Sequence, residues 1–157
     1  MQRFSVISSR PFEDVVTAFS AAIGHPNMSG FLTVLGSTKS YAEMEGVIRK
    51  ALGKSGFMEF ARFDLGAILR KEHGQATPKI VRFVVGNPLV MKEMVRHVPD
   101  AGSYAPVTVL IDERSDGVHL SYDTMAGFLA SYGNAAALQV AQDLDNKVEK
   151  LLRDVAG

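Results

Sequence analysis

Between Lys79 and Asp123 the sequence spells strand, turn, helix, strand, tight turn and strand in immediate succession, and this run constrains the fold more than any other feature. Ile80-Val81-Arg82-Phe83-Val84-Val85 is rich in Val and Ile and of strand length, which suits a pleated, largely buried position. At Gly86-Asn87-Pro88 the period changes from two to 3.6. Asn87 is a good N-cap, and Pro88 suits the first helical position because the amide it lacks has no helical partner there. The spacing predicts a helix over Leu89 to Val98 with Leu89, Met91, Met94 and Val95 partly buried, stopped by Pro99-Asp100-Ala101-Gly102. Val107, Val109 and Ile111 then alternate with Thr108, Leu110 and Asp112, and Val118, Leu120 and Tyr122 alternate with His119, Ser121 and Asp123. Asp116-Gly117 between these runs is favoured chemistry for a two-residue hairpin turn. Such a turn sets Ile111 opposite Tyr122, Glu113 opposite Leu120 and Arg114 opposite His119. It also puts the odd positions of the first strand and the even positions of the second on one sheet face.

The flanking segments extend this pattern. Phe4, Val6 and Ile7 read as a first strand, Ser9 and Pro11 as a helix start, and Phe12, Val15, Val16, Phe19 and Ile23 as its apolar face. Phe31 to Leu35 reads as a short strand or an extended connection. Ser40-Tyr41-Ala42-Glu43 is a capping box for a helix buried through Met44, Val47, Ile48 and Leu52. Phe57 to Phe63 is a strand, and Asp64 caps a shorter helix that Gly74 closes. After a short helix over 124–130, Asn134 caps a long one over 135–155, where Leu138, Ala141, Leu144, Val148, Leu151 and Val155 recur three and four apart. The expected architecture is a single α+β domain spanning 1–157. It has two layers, an antiparallel-rich (mixed) β-sheet packed with α-helices, and a long amphipathic C-terminal helix.

Composition narrows the function classes. The absence of cysteine removes disulfides, thiolate metal ligands and cysteine nucleophiles together. Seventeen basic and seventeen acidic residues cancel, so the basic footprint of a nucleic-acid binder is missing and no nucleic-acid partner is expected. The N-terminus lacks the apolar core of a signal peptide, and no stretch approaches the ~20 apolar residues of a membrane span. A cytoplasmic protein without a membrane partner is the expectation.

The turn Gly86-Asn87-Pro88, the break Pro99-Asp100-Ala101-Gly102, Ala105-Pro106-Val107 at a strand entrance and Asp116-Gly117 in a hairpin together resemble the family catalogued as domain of unknown function 302. The likeness is close over Phe83 to Ser121, within a family-like core of about 57–123. It implies a compact α+β domain, an antiparallel-rich sheet covered by helices, and a homodimer. It implies no reaction. Many members carry cysteines where this chain has Gly86 and Val107, so any thiol chemistry of theirs has no counterpart here.

Two places could carry chemistry. A helix starting at Asn87-Pro88 presents unpaired amides and a partial positive charge, which suits a carboxylate or phosphate. Gly86, Asn87 and Pro88, with Tyr104 and Tyr122, are accordingly the candidate binding residues for a small anionic or mixed-polarity ligand, and Met91 and Met94 could cover its apolar part. The second place is the outer hairpin face, where His119 beside Asp112 and Asp123 could act as a general base in a hydrolase or isomerase. A right-handed crossover from the strand ending at Gly86 to the one beginning at Val107 would bring Asn87 and His119 close together. No histidine spacing supports a metal, no phosphate-loop pattern occurs, and neither metal nor cofactor is expected. A third reading makes the Ala141 to Val155 face a protein-protein interface.

Overall fold

The computed structural model describes residues 1–157. The chain runs β1 (Arg3–Ser8), α1 (Phe12–Ala22), α2 (Met28–Ser37), α3 (Tyr41–Ala51), β2 (Met58–Asp64), α4 (Gly66–His73), β3 (Ile80–Gly86) and α5 (Pro88–Val95). A 3-10 turn (Pro99–Ser103) leads to β4 (Val107–Arg114), β5 (Gly117–Asp123), α6 (Met125–Leu129), a second 3-10 turn (Ala130–Tyr132) and α7 (Ala135–Ala156). The strands form one sheet in the order β1-β5-β4-β3-β2, and every neighbouring pair is antiparallel. The fold is therefore α+β with a long C-terminal helix, and the parallel pair that a mixed sheet would need is absent from the strand ladder.

Alternation along each strand sorts the side chains. Val81, Phe83, Val85, Val107, Val109, Ile111, Val118, Leu120 and Tyr122 share one face and enter a core of 27 buried residues together with α1, α5, α6 and α7. α7 supplies Ala137, Ala141, Leu144, Val148, Leu151, Leu152 and Val155 to it. Buried apolar side chains are worth about 1.5–3 kcal/mol each, so the stripe read as a possible protein interface is this chain's own core. A smaller cluster of Phe31, Ile48 and Met58 joins α2 and α3 to β2.

Most local expectations hold, with four corrections. Phe31 to Leu35 is helical: Asn27 Oδ1 accepts from Gly30 N at 2.9 Å, and Met28, Phe31 and Leu35 pack as one face. Ser9 does not cap α1. Instead Ser8 Oγ accepts from Arg10 N and donates to the Ala156 carbonyl at 2.6 Å, tying the two ends of the chain together. α5 stops at Val95, earlier than Val98, because Val98 precedes Pro99 and is held extended.

The fourth correction is the hairpin register. Arg114 pairs with Gly117, so the two-residue loop is Ser115-Asp116, and Ile111 faces Leu120 rather than Tyr122. Gly117 is the first paired residue of β5, at φ +138°, and a Cβ there would lie 2.8 Å from the Ser8 carbonyl oxygen. The residue most legible as a turn glycine is thus required by the close approach of β1. A shift of two residues preserves which residues share a face, so the expected division of side chains survives.

Candidate functional site

The start of α5 borders a pocket of about 210 Å³ between the end of β3, α5 and the segment that enters β4. Gly86, Asn87 and Pro88 line it, as expected, together with Met91, Met94 and Val90 from α5. Phe60, Ala105, Pro106, Val107 and Leu144 close the remaining sides, and no charged side chain reaches it. Sequence reading missed these five because they come from β2, α7, the peptide before β4 and the first residue of β4, which only the folded chain brings together. The alternation of Val107 and the stripe containing Leu144 marked them as buried, not as pocket walls.

The helix start does not present an anion site. Asn87 Oδ1 accepts from Leu89 N at 2.9 Å, and the Asn87 carbonyl takes both Val90 N and Met91 N at 3.0 Å. Pro88 has no amide to offer. Asn87 Nδ2 donates to the Gly56 carbonyl at 3.1 Å, which fastens the turn before β2 to this helix. The first-turn amides of Leu89, Val90 and Met91 are thus occupied, and the pocket beside them is apolar.

Neither candidate tyrosine lines this pocket. Tyr122 is 1% exposed, and its hydroxyl donates to Asp145 Oδ1 at 2.6 Å. Asp145 Oδ1 also accepts from Met125 N at 2.8 Å and Oδ2 from Ala126 N at 2.9 Å, so a buried α7 carboxylate serves the start of α6. Burial, reinforced by that carboxylate, pushes the Tyr122 phenol far above its ordinary pKa. Asp145 went unremarked in the sequence, although an acid beside Leu144 and four residues beyond Ala141 was the available signal. Tyr104 stacks on Phe128 at 4.6 Å, and its hydroxyl meets that of Tyr132 at 3.1 Å. The contact with Tyr104 pushes the Tyr132 phenol up to about 12.

The hairpin residues are distributed, not convergent. Asp112 and His119 are cross-strand partners on the sheet face away from the core. Each has its own companion: Arg114 Nε donates to Asp112 Oδ2 at 2.6 Å, and His119 Nε2 lies 2.7 Å from Asp116 Oδ1. The bond to His119 holds the Asp116 carboxyl below its usual range. Asp123 receives a bidentate Arg3 at 2.7 and 2.9 Å, which lowers its pKa as well. No three His, Asp or Glu side chains lie close enough together to hold a metal ion. Because β3 and β4 are antiparallel, Asp112 pairs with Ile80 while Val85, next to Gly86, pairs with Val107. Asn87 and His119 therefore sit at opposite ends of the sheet, and the crossover that would have joined them does not form.

Comparison with known proteins agrees with this architecture. A solved structure, described as the crystal structure of an uncharacterized conserved protein DUF302 from Bacillus stearothermophilus, superposes with a TM-score of 0.69 at 12% identity. The match covers 100% of this chain and 99% of that one, and at that identity it speaks to the fold alone. No curated protein matches the sequence. The family model for Domain of unknown function DUF302 matches residues 33–155, well beyond the 57–123 core legible in the motifs, and the chain belongs to that family.

Proposed function

We propose that the protein binds a small, uncharged, largely apolar molecule in the pocket beside α5. The observation that carries this reading is the pairing of an apolar wall with a helix start whose Leu89, Val90 and Met91 amides are bonded. An anionic head group would find no cationic side chain and no free first-turn amide there, and would be desolvated at a cost of several kcal/mol. About 150 Å³ of apolar cavity accepts benzene, so about 210 Å³ admits a substituted aromatic ring or a short branched chain. Met91 and Met94 suit such a ligand, because thioethers adapt in shape and contact aromatic rings favourably.

Toluene is the probe, and the methyl NMR signals of Met91 and Met94 are the readout. Titration is expected to move these two signals and leave Met1 and Met28 unmoved, whereas Val90→Phe, which fills the pocket, should abolish the shifts with the fold intact. Saturating toluene that left both signals in place would overturn the reading.

The protein acts as a homodimer in this proposal, joined through the sheet face opposite the core. That face carries Ile7, 53% exposed, and Phe63, 47% exposed, together with half-buried Ile80, Val84 and Leu110. A hydrolase or isomerase built on His119 is the weaker reading, since Asp112, Asp123 and His119 each bond a different partner.

A further inference from the structure

A second concavity, of about 460 Å³, lies between α1, the turn at Lys54-Ser55 and α7, and it shares no lining residue with the apolar pocket. Its floor is apolar, formed by Ala18 and Ala22 of α1 and Leu151 and Val155 of α7. Its polar side chains are Lys54, Ser55, Lys147, Lys150 and Asp154. Lys150 Nζ bonds Asp154 Oδ2 at 2.5 Å and so uses the one acid present. Lys54 and Lys147 make no ion pair, which leaves three ammonium groups against one carboxylate.

Ser55 lies in the turn below these lysines. Its Oγ is the one buried side-chain polar atom in the protein with no hydrogen-bond partner. Such a group costs about 1–3 kcal/mol when left unsatisfied, and its burial keeps it beneath the groove and away from the lysine head groups.

The turn that presents it is held firmly. Ser55 N donates to the Ala22 carbonyl at 3.1 Å, Gly53 N and Gly24 N both donate to the Phe57 carbonyl, and Asn87 Nδ2 grips the Gly56 carbonyl. The chain crosses itself here so closely that a Cβ on Gly24 would lie 1.8 Å from the Ala51 carbonyl oxygen, and one on Gly53 would lie 2.4 Å from the Ile23 carbonyl carbon. Two glycines are thus spent on setting Lys54 and Ser55 beside α1, facing the lysines of α7.

We infer that this groove binds a small amphiphilic anion, its head group held by Lys54 and Lys147 and its apolar body lying on Ala18, Ala22, Leu151 and Val155. Charge alone does not account for an apolar floor, and apolar contact alone does not account for the unpaired lysines. The site is separate from the proposed apolar pocket and does not depend on it.

The probe is octanoate, followed by amide NMR of residues 54–56 and by calorimetry, with octanol and inorganic phosphate as controls. Octanoate is expected to bind and both controls to bind far more weakly. Ser55→Ala should leave octanoate binding unaltered and the melting temperature of the free protein unchanged or higher, because it deletes an unsatisfied group buried beneath the groove. Lys54→Gln with Lys147→Gln should weaken binding severalfold and flatten its salt dependence, whereas Val90→Phe should leave it unaltered. Octanol binding as tightly as octanoate, Lys54→Gln with Lys147→Gln binding at full strength, or loss of octanoate in Val90→Phe would each overturn the assignment.

Discussion

Tyr122 and Asp145 form a buried pair whose chemistry is structural. Tyr122→Phe should cost about 1.5–3 kcal/mol, the range for a hydrogen bond to a charged group. Asp145→Ala should cost more, since the Tyr122 hydroxyl and the Met125 and Ala126 amides all lose an acceptor. The pH dependence has a definite sign. The folded phenol is raised above its ordinary value, so its contribution is complete below about pH 10 and is lost as pH rises beyond that, where the unfolded phenol ionises and the folded one does not. Urea midpoints between pH 8 and 11 should fall for the native chain and fall less for Tyr122→Phe; parallel slopes would exclude this linkage. Residue identity alone marked Tyr122 as a strand position on the core face. It could not show that the hydroxyl meets a carboxylate 23 positions away, because that contact depends on how α7 crosses the sheet.

Among the elements, the hairpin separates what periodicity decides from what neighbours decide. The strands, their faces and the presence of a tight turn follow from alternation and turn chemistry, yet the register lies two residues from the pairing that Asp116-Gly117 suggests. β1 decides it: Gly117 passes so near Ser8 that any side chain would strike the neighbouring backbone. Gly117→Ala should therefore destabilise by about 1–3 kcal/mol from its backbone conformation and further from the contact, read as a lower denaturant midpoint; an unchanged midpoint would show that β1 yields easily. α2 departs from the extended expectation for a related reason: its residues are apolar and partly β-branched, and the Asn27 cap that starts the helix stands apart from any long periodic run. α3 and α7 were legible because their caps, Ser40 and Asn134, stand directly before long periodic runs.

At the scale of the whole molecule, the helices of the core gather on one sheet face, and the other keeps Ile7 and Phe63 largely uncovered. If that face joins two copies, analytical ultracentrifugation should give a dimer for the native chain and a folded monomer for Ile7→Lys combined with Phe63→Lys; a native monomer would end the dimer reading. No helix is long and apolar enough to cross a membrane. The sequence by itself determined the α+β class, nearly every helix and strand, the buried face of each strand, and that α5 begins at Asn87 and Pro88. These follow from side-chain periodicity and capping, which act over a few residues. Tertiary structure alone decided that β3 and β4 are antiparallel, which separates Asn87 from His119, and that each hairpin acid takes its own partner. It also decided that the amides of Leu89, Val90 and Met91 are already bonded, that Phe60 and Leu144 wall the pocket, and that the Ser55 hydroxyl is buried without a partner. Each of these depends on groups far apart in the chain meeting at fixed distances, and neither spacing nor residue type encodes that locally.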